Sequence, residues 1–170
     1  RSMTIIRIIG IDPGLNRCGW GIILADGARL SHVAHGVVRP KADLSMGRRL
    51  AAILDGLEAV IEQHDPHEAA VEETYVNAQN PKSALALGQA RGAALIAPAR
   101  HGLDIGEYAP AEIKKALVGN GQAEKEQVSF MVRRLMPAAG NVVADAADAL
   151  AVAICHAAHG GFRKRVGGVA

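Results

Sequence analysis

Aromatic side chains are almost missing from this chain. They make up 3% of it: one Trp, two Tyr and two Phe. A core cannot be built on so few rings, so Ala, Val, Ile and Leu must fill it, and each ring present invites a specific role. Cysteine is nearly as scarce. Cys18 and Cys155 form no Cys-x-x-Cys pair, which excludes a disulfide scaffold and fits a reducing compartment; both suit small buried hydrophobes. No apolar run reaches the roughly 20 residues needed to cross a bilayer, and no secretory leader is recognisable, so a cytoplasmic location is expected. A large charge excess is lacking too. The net charge of +2 permits nucleic-acid binding without requiring it.

What is present is apolar. The hydrophobic share of 49% excludes a disordered chain. No repeat, linker or shift in composition interrupts 170 residues, so one domain over 1–170 with a sizeable core is expected. Arg1-Ser2, ahead of Met3, stand apart from the fold. The Gly-rich, basic tail from Gly160 is expected to fray.

The patterning is mixed α/β. Thr4 to Asp12 is Ile-rich and reads as a buried strand stopped by Pro13-Gly14. Cys18 to Ala25 and Ala28 to Val38 read as strands joined at Asp26-Gly27. Ser45 to Gln63 carries Leu50, Ile53, Leu54, Leu57, Val60 and Ile61 at helical spacing, with Ser45 as N-cap. His67 to Tyr75 reads as a fourth strand, Ser83 to Ala97 as a helix ended by Pro98, and Leu103 to Tyr108 as a fifth strand. Helices follow over Pro110 to Val118, Lys125 to Met136 and Val142 to His159. Three strands in hairpin order, then α-β-α-β-α, is the order of the ribonuclease H-like fold: a five-stranded mixed sheet flanked by helices.

Four acids stand in apolar settings: Asp12, Glu72, Asp145 and Asp148. A carboxylate there is costly unless something pairs with it. Asp12 falls at the C-terminal end of the first strand, where open α/β sheets place ligands. Glu72 falls near the end of the fourth, and Asp145 and Asp148 share one face of the last helix. Each also has a bland reading. Asp12 before Pro-Gly suits a turn. Glu72 suits an exposed strand end, and adjacent Glu73, on the opposite strand face, is an equal candidate. Asp145 in a first helical turn is favoured by the dipole alone. As a set, three segments bringing acid together suit a hard divalent cation such as Mg²⁺ and phosphoryl chemistry.

Other groups are less specific. Lys114, Lys115 and Lys125 flank Gly119-Asn120-Gly121, where backbone can approach phosphate, although solvated lysine is the ordinary case. Tyr75, three residues past Glu72, can stack on an unpaired base or serve as a core or rim residue. Arg133 and Arg134 suit either distant phosphate contacts or a helix surface. His64 with His67, and His156 with His159, lack a Cys partner; turns and helix ends explain them better than zinc. Gly88 and Gly92, with Ala84, Ala90 and Ala94 nearby, make a small-residue helix surface fit for close packing, either on another chain or on the chain's own sheet.

Gly-Ile-Asp-Pro-Gly at 10–14, Leu-Gly-Gln-Ala-Arg-Gly at 87–92, Ala-Glu-Lys at 123–125 with Gln-Val at 127–128, and Ala-Asp-Ala-Ala-Asp-Ala-Leu-Ala at 144–151 resemble the RuvC family of bacterial Holliday-junction resolvases. The resemblance runs from about Thr4 to about His156. Gly-x-Asp-x-Gly alone also occurs in actin-like sugar kinases; the ordered combination is specific. It implies that Asp12, Glu72, Asp145 and Asp148 are the catalytic and metal-holding acids, favouring Glu72 over Glu73. It implies that Tyr75 stacks on a base and that Lys114 and Lys125 are basic active-site residues contacting DNA. It further implies Mg²⁺, with Mn²⁺ able to stand in, a homodimer in which the 83–97 helix is the candidate contact, four-way junction DNA as substrate and a branch-migration motor of the RuvA–RuvB type as partner. The expected activity is a structure-selective endodeoxyribonuclease that makes paired nicks, leaving 5′-phosphate and 3′-hydroxyl ends, in recombination and repair. Two other readings are a sugar-kinase-like phosphotransferase, which needs a second large domain, and a non-catalytic junction binder, which gains nothing from buried carboxylates facing phosphate.

Overall fold

The computed structural model describes residues 4–73 and 79–160. Five strands form one sheet in the order β3-β2-β1-β4-β5. β1 (Ile6–Asp12), β2 (Cys18–Asp26) and β3 (Arg29–Val38) are an antiparallel meander. The tight β2–β3 turn puts Gly27 at φ 59°, a left-handed conformation that glycine adopts without penalty. β4 (Glu68–Glu72) then joins β1 in parallel, and β5 (Ile105–Tyr108) joins β4 in parallel. The expected ribonuclease H-like order is therefore present.

Two layers of helix cover the sheet. α1 (Met46–His64) and α2 (Pro81–Arg100) bury Ile53, Leu57, Ala90, Ala94 and Ala97 against Ile9, Ile11, Ile22 and Val71. On the other face α3 (Pro110–Val118), α4 (Lys125–Leu135) and α5 (Ala144–Ala158) pack on Ile8, Ile23 and Ala70. α1 begins at Ser45, whose side chain accepts from the Arg48 N–H, and ends at Asp65 in the left-handed conformation before Pro66.

Two expectations need correction, and one residue proves to do more than its position suggests. α2 does not stop at Pro98 but runs to Arg100. Proline cannot donate, yet its carbonyl can accept, and Pro98 O takes the N–H groups of His101 and Leu103, so the last turn closes around it. β4 ends at Glu72 rather than Tyr75; residues 74–78, Tyr75 among them, lie outside the described residues. His156 does lie in the last turn of α5, but its ring faces the interior. It is fully buried, with Nδ1 2.6 Å from the Tyr108 hydroxyl and Nε2 2.8 Å from Glu68 Oε2. Within this Tyr108–His156–Glu68 chain the buried polar groups partner one another, as the low-dielectric interior demands.

α5 lies unusually close to the sheet. Gly10 and Gly21 face each other across β1 and β2, and Gly19 faces Asp12. A Cβ on Gly10 would stand 2.0 Å from the Ala149 carbonyl oxygen, and one on Gly19 2.0 Å from that of Asp145. Helix backbone thus rests on strand backbone. Gly10→Ala should therefore cost about 1–3 kcal/mol by overpacking. Gly47→Ala, where nothing stands within 4 Å, should be neutral or gain up to about 1 kcal/mol of helix propensity. Urea unfolding of both variants checks this; equal stability for the two would show that α5 can shift away from the sheet without loss.

Candidate active site

The site forms where β1 and β4 end together. Their parallel register pairs Ile11 with Val71, so Asp12 and Glu72 are the next residues on neighbouring strands. Strand alternation turns both toward α5: Gly10, two residues before Asp12, meets Ala149, and Glu68, four before Glu72, meets His156. Glu73 has the opposite parity. α5 crosses β2 with the Asp145 carbonyl over Gly19, and Gly19 is the cross-strand partner of Asp12. Asp145 therefore comes beside Asp12, and Asp148 follows on the same helix face. The four acids, carried by three segments far apart in the chain, meet at one end of the sheet.

Two cations border them from the helices packed beside α5 on the same face of the sheet. Lys125, first residue of α4, places Nζ 3.3 Å from Asp148 Oδ2. Lys114 on α3 lines the same cleft of about 250 Å³ with Glu72, Lys125 and Asp148. Reasoning from the sequence missed a third cation: Arg17, in the β1–β2 loop, has a guanidinium nitrogen 3.8 Å from Asp145 Oδ2. Its position three residues past Pro13-Gly14 carried no pattern that could reveal it. Lys115, Arg133 and Arg134 are not among the residues lining the cleft.

The electrostatics are strained toward protonation. Burial first, then the charges of Asp148, Glu72 and Asp145, push the Asp12 carboxyl up to about 8, against a smaller opposing pull from Lys125. Burial and Asp148 raise Glu72, with Lys114 and Lys125 opposing. Burial raises Asp148, again opposed by Lys125, and the Asp148 charge in turn raises Lys125. The lysine side chains therefore offset only part of the cost of gathering these carboxylates. Cys18 lies near Asp12 and Asp145, but burial pushes its thiol to about 12, so it is neither a nucleophile nor a ligand at neutral pH.

This donor set fits a hard divalent cation: carboxylate oxygens from four residues, partly desolvated and in want of positive charge. The carboxylates line the site without closing tightly on one another. Among the described residues, the one group of three whose donor atoms all lie within 4.8 Å of one another is elsewhere, at Glu58, Glu62 and His101. There Arg100 and His101 already pair with Glu58, at 3.3 and 3.1 Å, and these contacts account for the cluster.

Residues 8–156 match the profile of the family described as crossover junction endodeoxyribonuclease RuvC. A protein of that name from Hyphomonas neptunium is 58% identical over 156 residues, covering 92% of this chain and 93% of the relative. Another from Paramagnetospirillum magneticum is 55% identical, covering 95% and 96%. Among solved structures, Thermus thermophilus RuvC in complex with Holliday junction substrate is similar, at a TM-score of 0.83 and 33% identity, covering 95% of this chain and 96% of that one. The yeast mitochondrial Holliday junction resolvase Ydc2 shares the fold alone, at a TM-score of 0.60 and 10% identity.

The raised Asp12 carboxyl gives a pH dependence. Unfolded, an aspartate ionises near its ordinary value of 3.8; folded, Asp12 holds its proton to about 8. Between these the folded chain binds more protons than the unfolded one, so stability falls as pH rises across that window. Without divalent cation, the melting temperature should rise as pH is lowered from about 8 to about 5.5. Asp12→Asn should raise the melting temperature at pH 8 and flatten the trend. Calorimetry of both proteins checks this; the same slope in the variant would mean that Asp12 is not the strained group.

Proposed function

The chain belongs to the RuvC family of crossover junction endodeoxyribonucleases, and from that premise we propose that it resolves four-way DNA junctions by hydrolysing phosphodiesters at the Asp12, Glu72, Asp145 and Asp148 cluster. The observation that carries this reading is the convergence of four acids, brought by three separate segments, beside Lys114 and Lys125. The family match spans most of the chain, which removes the phosphotransferase alternative.

Asp12, Glu72, Asp145 and Asp148 are the residues that would hold Mg²⁺, or Mn²⁺ in its place. Such ions supply an activated water and stabilisation of the leaving 3′ oxygen, leaving 5′-phosphate and 3′-hydroxyl ends. The protein's own part is positional and electrostatic. The strand ends and α5 fix the carboxylates before substrate arrives, so little reorganisation is needed. Lys125, already polarised toward Asp148, and Lys114 hold the phosphate backbone over the acids. Tyr75, three residues beyond Glu72, would stack in the gap left by an unpaired base at the crossover.

A four-way junction has two opposed strands to cut, so the reading needs two copies related by a two-fold axis. α2 offers the contact. Ala90 and Ala94 pack on the chain's own sheet, so they are not part of a free face. The exposed stripe is instead Leu85, Gly88, Gly92 and Ile96; Leu85 is 66% exposed, and an added Cβ on either glycine meets nothing within 4 Å. Paired nicks by such a dimer, working with a branch-migration motor, would yield ligatable duplexes in recombination and repair. None of the described helices is long and apolar enough to cross a membrane.

The test is cleavage of a synthetic immobile four-way junction with Mg²⁺, with linear duplex left intact. Asp148→Asn should lower cleavage by more than about 10²-fold yet bind the junction, slightly more tightly without Mg²⁺ because one charge facing phosphate is gone. Glu72→Gln should be inactive and Glu73→Gln active. Normal cleavage by Asp148→Asn would remove the acids from the chemistry.

Tyr75 is tested by substrate opening. Losing a base–ring stack costs about 1–3 kcal/mol. Tyr75→Phe should keep most activity, and Tyr75→Ala should slow cleavage of an intact junction but not of one with unpaired bases at the crossover. Single-turnover rates decide; equal losses on both substrates would end the stacking role.

A further inference from the structure

The Lys114 and Lys125 flank leaves the other side of the acid cluster, where β1 turns into β2, with a different cation. We propose that Arg17 is a DNA-backbone contact of this protein: its guanidinium binds a phosphate within about a nucleotide or two of the one cut, on the side opposite Lys114 and Lys125. This rests on the reading of the four acids as the place of cleavage.

The loop carrying Arg17 is held on every side except at that side chain. A Cβ on Gly14 would stand 2.3 Å from the Arg17 carbonyl oxygen, so the turn closes only over glycine. Asn16 Oδ1 accepts from Arg49 of α1 at 2.5 Å, which ties the loop to the opposite helix layer. Cys18, the next residue, is fully buried and begins β2. Between these anchors the Arg17 side chain is 63% exposed. Its 3.8 Å approach to Asp145 is too long for a good hydrogen bond, and an exposed pair of this kind adds little stability. A rigid backbone presenting a loosely engaged guanidinium suits an external anion. The planar fork of arginine matches phosphate oxygens in a bidentate fashion.

Topology places the group along a strand path. In the order β3-β2-β1-β4-β5, Arg17 lies on the β2 side of Asp12, while Glu72 and the lysine cleft lie on the β4 side. Phosphates follow one another at roughly 3.4 Å of rise per strand. A backbone cut at the acids therefore runs past cations on both flanks, Arg17 on one and Lys114 with Lys125 on the other.

Salt dependence of junction binding, read by fluorescence anisotropy without divalent cation, tests this. Arg17→Ala should make the slope of log affinity against log salt shallower by about one unit, which amounts to about an eightfold loss near 0.1 M salt. Arg17→Lys keeps the charge and should restore the slope, and Lys125→Ala gives the benchmark for one lost contact. An unchanged slope in Arg17→Ala beside a shallower one in Lys125→Ala would overturn the proposal. So would an unchanged slope with tighter Mn²⁺ binding in the absence of DNA, since Arg17 would then serve only to neutralise Asp145. If the unsubstituted protein did not prefer a four-way junction to duplex, the underlying reading would fail instead, and Arg17 would not be the cause.

Discussion

The seating of α5 directly on the backbone of β1 and β2 is the constraint on which the rest depends. Gly10, Gly19 and Gly21 form a floor without side chains, and the Asp145 and Ala149 carbonyls occupy the space that Cβ atoms would need. Any larger residue would lift the helix by a layer of side chain and carry Asp145 and Asp148 away from Asp12. The same constraint explains why the helix is rich in alanine: Ala146, Ala149 and Ala153 are fully buried and thin enough to let the two layers touch. A chain this poor in aromatics loses little by it, since small residues are what close approach requires.

α5 is secured differently at its two ends. At its C-terminal end His156 bridges Tyr108 and Glu68, so that the helix is joined by hydrogen bonds to β5 and β4. At its N-terminal end it carries carboxylates that repel those of β1 and β4. Packing and a satisfied polar network at one end hold in place an arrangement that is costly at the other. Such local conflict is typical of functional sites. The cost falls on Asp12 above all, the acid toward which burial and all three neighbours act in the same direction.

Much of this was legible beforehand, and for definite reasons. Strand and helix periodicity follow from the alternation and 3.6-residue repeat of apolar side chains, and they located ten elements to within a few residues. Pro98 misled because proline usually ends a helix, whereas here its carbonyl completes the last turn. His156 misled because spacing cannot reveal that a histidine will be buried with a tyrosine 48 residues away. For Ala90 and Ala94 the pattern left two packing partners open, because a helix of small residues looks alike on all its faces until a sheet chooses one.

By itself the sequence determined the secondary structure, the mixed fold, the family and the four acids as candidates, because those rest on local pattern and on ordered motifs. It also placed Asp145 and Asp148 on one face, since three residues along a helix allow nothing else. Tertiary structure alone decided that Asp12 and Glu72 are neighbours, through the parallel register of β1 and β4, and that Arg17 stands at the edge of their site. It alone decided the strength of the electrostatic conflict. A carboxylate's pKa depends on the water removed around it and on charges from other segments, and neither is encoded at any single position in the chain.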